Sequence, residues 1–98
     1  YIKNYMDVHF NEKINLQSLA ELTCYSYDHF RHKFKEITGY SPNQYIMNKR
    51  IESAKEKLSK TTMNISDIAI ECGFSTSAQF SYLFKKHMQK TPMAFRNI

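Results

Sequence analysis

The chain carries nearly the same pattern twice, and that repeat limits what it can fold into. Phe30-Arg31-His32-Lys33-Phe34-Lys35 returns about 50 residues later as Phe80-Ser81-Tyr82-Leu83-Phe84-Lys85. Gly39-Tyr40-Ser41-Pro42 returns as Gln89-Lys90-Thr91-Pro92. Upstream, Leu19-Ala20 returns as Ile68-Ala69, the second copy being one residue longer in between. Each copy reads as a short helix, a tight turn and a second, amphipathic helix. A half of this chain, at under about 50 residues, has a marginal core by itself, so an element shared by both halves is expected. With only two Gly and two Pro among 98 residues, helices must carry most of the length. The apolar residues recur at three and four rather than alternating, which disfavours strands. The expected fold is all-α, with about seven helices: two helix-turn-helix subdomains joined by a long linker helix. Within a single domain spanning 1–98, the first lobe is placed at 1–41, the linker helix at 42–59 and the second lobe at 60–98.

The local signals fall in order. Tyr1, Ile2, Tyr5 and Met6 form an apolar stripe on a first helix that closes before Asn11. Asn15 can cap a second helix carrying Leu16, Leu19, Ala20 and Leu22. Cys24-Tyr25-Ser26 makes the turn. Ser26 can cap a third helix whose expected core face is Phe30, Phe34 and Ile37, ended by Gly39 where a left-handed residue is wanted. Ser41 and Gln44 have capping-box spacing around Pro42, which suits a first helical position. The helix they start runs to about Leu58, with Met47, Ile51, Ala54 and Leu58 on one face. At 1.5 Å per residue it spans roughly 25 Å, long enough to hold two lobes apart. Asn64 and Asp67 open a fifth helix with Ile65, Ile68 and Ala69 inward. After Cys72-Gly73-Phe74, Ser75 or Thr76 caps a sixth, whose expected core face is Phe80, Leu83, Phe84 and His87. Thr91-Pro92 starts a short last helix through Phe95.

Once the core stripes are assigned, two outer faces remain. Opposite Phe30 and Phe34 lie Asp28, Arg31, His32 and Lys35, with Tyr27 at the N-terminal edge. A recognition helix places its N-terminal outward residues at base edges in a DNA groove. Arg31 suits a bidentate contact to guanine O6 and N7. His32 can donate or accept; Asp28 can take a cytosine amino proton or orient a neighbouring arginine. Lys35, one turn on, suits a phosphate. Opposite Phe80 and Phe84 lie Ala78, Ser81, Tyr82 and Lys85, with Ser77 at the start of the helix. This face is small and hydroxylated, with no arginine. Ala78 suits a thymine methyl, and Ser77, Ser81, Tyr82 and Lys85 suit phosphates, so weaker base discrimination is expected here. Ser26, Tyr27 and Thr76 are also placed at the DNA backbone. Against this stands the plainer alternative that each outer face is only solvated.

Charge is consistent with a polyanionic partner: 14 Lys and Arg against 9 Asp and Glu give +5 and a pI near 9.3. Cys24 and Cys72, without a C-x-x-C, form no disulfide framework and fit a reducing, cytoplasmic setting. No apolar run approaches a membrane span, and no signal peptide is visible. His29 and His32 beside Asp28 lack a third converging ligand, so neither a metal nor another cofactor is expected. No phosphate-binding glycine loop, nucleophile elbow or H-E-x-x-H occurs, so no catalytic residue is assigned. The chain begins at Tyr1 without a methionine, and a preceding segment is expected.

With both units and the linking helix in place, the chain resembles the DNA-binding domain of AraC/XylS-type bacterial transcription regulators along essentially its whole length. The most specific stretch runs from Ile65 to Arg96, where Ile68-Ala69, Gly73-Phe74-Ser75, Phe80, Phe84-Lys85-Lys86, Thr91-Pro92 and Arg96 stand in the family's spacing. Leu19-Ala20, Phe34-Lys35, Gly39-Tyr40-Ser41-Pro42 and Tyr45-Ile46 match the first half, and Arg50, Ala54 and Leu58 the linker helix. The resemblance implies a two-lobed, seven-helix domain whose recognition helices enter adjacent major-groove segments of double-stranded DNA. It implies base contacts at Asp28, Arg31 and His32 in the first unit and at Ser77, Ala78 and Tyr82 in the second. It further implies an N-terminal effector-binding or dimerisation domain, and activation of transcription by contact with RNA polymerase. Three positions depart from the family pattern: Cys24 stands where the first turn commonly has glycine, Gln89 where glycine is expected after the sixth helix, and small Ala78 where a longer polar reader is common. A rival role is a protein-interaction module in which one helix-turn-helix docks on a partner instead of DNA. A fragment of a nucleic-acid-repair enzyme is a more distant third.

Overall fold

The computed structural model describes residues 2–23 and 25–97. The expectations for Tyr1 in the first apolar stripe and for Cys24 in the first turn lie outside the described residues. Seven helices and no strand are present among the described residues: α1 (Ile2–His9), α2 (Leu16–Leu22), α3 (Tyr27–Thr38), α4 (Pro42–Lys60), α5 (Ile65–Glu71), α6 (Ser77–Met88) and α7 (Pro92–Arg96). The chain packs as two compact units, Tyr1–Asn48 and Lys49–Ile98, and the division falls inside α4.

Capping side chains set where the helices begin. Asn15, Ser26, Asn64, Thr76 and Thr91 each accept a hydrogen bond from the backbone N–H three residues on, satisfying one of the donors a helix start leaves bare. Of the two caps open for α6, Thr76 is the one used. At α4 the box is reciprocal: Gln44 N–H donates to Ser41 Oγ at 3.2 Å and Ser41 N–H to Gln44 Oε1 at 3.1 Å. The ends of α3 and α6 match as well. Gly39 (φ 85°) and Gln89 (φ 64°) are both left-handed, and their N–H groups donate to Lys35 and Lys85 carbonyls at 2.8 Å.

In the first unit the core consists of Met6, Leu19, Ala20, Phe30, Phe34, Tyr45 and Ile46, with Ile2, Ile14, Leu16 and Tyr27 packed against it. Phe34 bridges Phe30 (6.0 Å between centroids) and Tyr45 (5.5 Å, edge-on). In the second unit Ile51, Ala54, Leu58, Ile68, Ala69, Cys72, Phe74, Phe80 and Phe84 are buried. Four rings run in a chain there, Phe74–Phe80–Phe84–Phe95, at 4.9, 5.6 and 5.5 Å. Burying each such Phe contributes on the order of 1.5–3 kcal/mol. Arg96 fastens the end of α4, donating from Nε to the Leu58 carbonyl (3.2 Å) and from Nη2 to the Thr61 carbonyl (3.3 Å).

Some expected core positions are corrected. Ile37 is 74% exposed, and His87, fifty positions later, is exposed as well. Both lie on the correct helix face, but in a last turn that reaches past the packed core. The face begins earlier instead, at half-buried Tyr27 in α3. Leu22 is 66% exposed because it falls off the edge of the Leu16–Leu19–Ala20 stripe. In α1, Met6 is fully buried, whereas Tyr5 is 37% exposed and stacks on His9 at 4.4 Å.

Tyr45 donates its hydroxyl to the Asp7 carboxylate. Burial, then this bond and the Asp7 charge, push its pKa up to about 12 from 10.0. Above the ordinary value the unfolded chain therefore releases this proton first, so this contribution to stability is full below pH 10.0 and lost toward about 12. Tyr45→Phe should flatten that alkaline decline and cost about 1 kcal/mol at neutral pH from the lost hydrogen bond. Urea unfolding across the range checks both. Gln89→Gly should raise stability by about 0.5–1 kcal/mol, because glycine holds a left-handed φ without the Cβ clash. Thermal unfolding reads that change, and no gain would mean the Gln89 side-chain bond to the Lys86 carbonyl (3.4 Å) outweighs the strain.

Candidate nucleic-acid interface

Each unit pairs a short helix with a longer one across a turn: α2 packs on α3, and α5 on α6. With Phe30 and Phe34 inward, α3 turns Asp28, Arg31, His32 and Lys35 to solvent. These side chains are linked to one another. Arg31 Nη2 donates to Asp28 Oδ1 at 2.9 Å, and the guanidinium carbon stands 5.5 Å from the centroid of the Tyr27 ring. His32 Nδ1 donates to the Asp28 backbone carbonyl at 2.8 Å. An exposed i,i+3 pair contributes at most about 1 kcal/mol to stability. Its larger consequence is geometric, because Arg31 is held between an aromatic face and a carboxylate rather than sweeping freely. The guanidinium keeps unused N–H donors, since it has five and Asp28 takes one.

Around this trio the remaining first-unit positions are auxiliary. Ser26 Oγ accepts from His29 N–H at 3.2 Å, leaving its O–H free to donate outward. Tyr27 is half-buried, against the core on one side and against Arg31 on the other. Lys35 is exposed in the last turn of α3, where a cation also suits the helix dipole. His29 stacks on Tyr25 at 4.2 Å, a contact whose one sequence signal is the i,i+4 spacing of the two rings. Among the described residues no three His, Cys, Asp or Glu side chains converge as a metal site.

On α6 the equivalent positions carry different chemistry. Ala78 and Lys85 are exposed and Tyr82 is 66% exposed, whereas Ser77 and Ser81 are half-buried. Thr76 Oγ1 accepts from Gln79 N–H, and Gln79 Oε1 accepts from Ser75 N–H at 2.9 Å, so Gln79 is engaged in capping. Ala78 and Tyr82, one turn apart, make an apolar strip where α3 has Asp28 and His32. Lys49 and Arg50 of α4 are both half-buried, and burial pulls the Arg50 guanidinium below its usual range. Cys72 is fully buried, and burial pushes its thiol up, away from the reactive thiolate.

Comparison with known proteins places this geometry. Residues 19–98 match a family model described as a helix-turn-helix domain. The chain is 39% identical over 97 residues to the bifunctional transcriptional activator/DNA repair enzyme AdaA of Bacillus subtilis, covering 99% of this chain and 46% of AdaA. The chain therefore spans less than half of that relative's length. Among solved structures, the C-terminal domain of AraT, a response regulator from Geobacillus stearothermophilus, superposes with a TM-score of 0.90 at 31% identity, covering 97% of this chain and 79% of that one. A Chromobacterium violaceum transcriptional regulator with an AraC-type DNA-binding domain superposes at 0.83 with 26% identity, covering 96% and 84%. The chain belongs to the AraC-type helix-turn-helix family of DNA-binding transcription regulators. Among the described residues no helix is long and apolar enough to cross a membrane.

Arg31→Ala should weaken binding to a cognate duplex by roughly 1–3 kcal/mol and relax one base position, whereas Lys35→Ala should weaken all sequences alike. Titration of both variants against matched and singly mismatched duplexes separates the two effects. A sequence-selective loss from Lys35→Ala would overturn the phosphate contact expected of it.

Proposed function

We propose that this domain, residues 1–98, binds double-stranded DNA sequence-specifically, with α3 and α6 entering adjacent major-groove segments, as part of a bacterial transcription activator. The observation that carries the reading is the held Arg31: an exposed guanidinium on the N-terminal half of a helix-turn-helix second helix, oriented by Asp28 and Tyr27. Asp28, Arg31 and His32 read base edges in the first unit, and Ser77, Ala78 and Tyr82 in the second. Ser26, Tyr27, Lys35, Thr76, Ser81 and Lys85 contact the sugar–phosphate backbone. Net charge of +5 supplies affinity that falls with salt through counterion release. AdaA is itself described as an activator, which supports the direction of regulation. A partner domain for effector binding or dimerisation, contact with RNA polymerase and a cytoplasmic location complete the proposal. The repair activity named for AdaA is not carried over to this domain, whose buried Cys72 is no nucleophile.

A second reading has one observation in its favour. The exposed Tyr82 beside Ala78, with no arginine on α6, also suits a protein-docking face. Selection from a randomised duplex pool at near-physiological salt decides between them. Two enriched blocks about 10 bp apart are expected if both units read bases. One block alone would make α6 a positioning or docking element, and no enrichment at all would overturn sequence-specific recognition.

A further inference from the structure

The hydrogen bond from His32 into its own helix settles which way its ring faces chemically. A backbone carbonyl can only accept, so the 2.8 Å contact to the Asp28 carbonyl requires Nδ1 to carry the proton. In neutral imidazole the other nitrogen, Nε2, is then an acceptor with no proton to give. Among the described residues no group bonds Nε2, and the ring is exposed. The neighbouring polar groups divide the work. Arg31 presents only donors, and one oxygen of Asp28 is already committed to Arg31. In the major groove, guanine offers two acceptors at N7 and O6. A hydrogen-bond donor is offered by the exocyclic amino group of adenine, N6, or of cytosine, N4.

Resting on the reading of α3 as a recognition helix, we propose that His32 accepts a hydrogen bond at Nε2 from a base amino group in the major groove, adenine N6 or cytosine N4. The first unit then reads a donor–acceptor pair of opposite polarity: guanine by the donors of Arg31, and an amino-bearing base by the acceptor of His32. The i,i−4 bond makes the choice selective. A freely rotating histidine can offer either nitrogen, whereas this ring is anchored through one and has only the other to present. A guanine at the same position would bring two acceptors against an acceptor, leaving both unpaired on a desolvated surface.

The test uses the duplex enriched by selection, at mildly alkaline pH, with fluorescence anisotropy as the readout. Each amino-bearing base near the guanine read by Arg31 is replaced singly by its analogue lacking that amino group, purine for adenine and pyrimidinone for cytosine. One such replacement should weaken the unsubstituted protein about five- to tenfold, and the same replacement should leave His32→Ala unaffected. Which analogue acts identifies adenine or cytosine. A penalty that persists in His32→Ala would assign the acceptor to another group, such as Asp28, and overturn the proposal. So would a His32-dependent preference for guanine that is lost on deazaguanine, because it would make Nε2 a donor. If His32→Ala binds and discriminates like the unsubstituted protein while Arg31→Ala does not, the proposal fails and the role of α3 stands. If both variants keep full discrimination, α3 is not the reading helix.

Discussion

Burial of two phenylalanines one turn apart fixes the rotation of each exposed long helix, and the candidate interface depends on that rotation. A helix on a surface has one soft degree of freedom, rolling about its axis. Seating Phe30 and Phe34 in one unit, and Phe80 and Phe84 in the other, removes it, because turning either ring to water forfeits on the order of 1.5–3 kcal/mol. Every residue on the opposite side is then presented by default. The caps add the axial coordinate: Ser26 and Thr76 fix where these helices start, and left-handed Gly39 and Gln89 fix where they stop. Rotation and extent together place positions 28, 31 and 32, and their equivalents 78, 81 and 82, in the first two turns.

The duplication kept what packing demands and released what it does not. Rings, caps and helix lengths recur between the units, because each unit must bury a core and satisfy the bare ends of its helices. The outward residues have diverged: Asp28, Arg31 and His32 stand against Ala78, Ser81 and Tyr82. In the first unit the three polar side chains are coupled through one residue, Asp28, whose carboxylate holds Arg31 and whose carbonyl holds His32. Ordering them before a partner arrives reduces the rotamer entropy lost on binding. No comparable linkage ties Tyr82 to Ala78, and the two halves of the domain thus present one polar, pre-ordered face and one that is apolar and hydroxylated.

Much of this was legible without coordinates, for definite reasons. Asn15, Ser26, Gly39, the Ser41–Gln44 box and Asn64 announce helix ends because capping is local chemistry, decided within three or four residues. Phe30, Phe34, Phe80 and Phe84 declare their face through spacing alone. Periodicity misplaced Ile37 and His87, since it states a direction and not how far along the helix the core extends. On the interface, the sequence offered Asp28 two roles, base acceptor or arginine support, and it gave His32 both hydrogen-bond polarities. Side-chain geometry brought Asp28 to Arg31, put Tyr27 beneath that guanidinium and assigned the proton on His32.

By itself, then, the sequence determined the all-helical class, the doubled motif, most of the cap positions and the outward placing of Asp28, Arg31, His32, Lys35, Ala78, Tyr82 and Lys85, because each rests on contacts between near neighbours in the chain. Tertiary structure decided what depends on distant segments meeting. Tyr45 reaches Asp7 and Arg96 reaches the end of α4 across 38 residues, and the last turns of α3 and α6 run out into solvent. Spacing along a chain carries no information about where a core ends. Only the packed helices set that limit, by filling the space on one side of a residue and leaving the other to water.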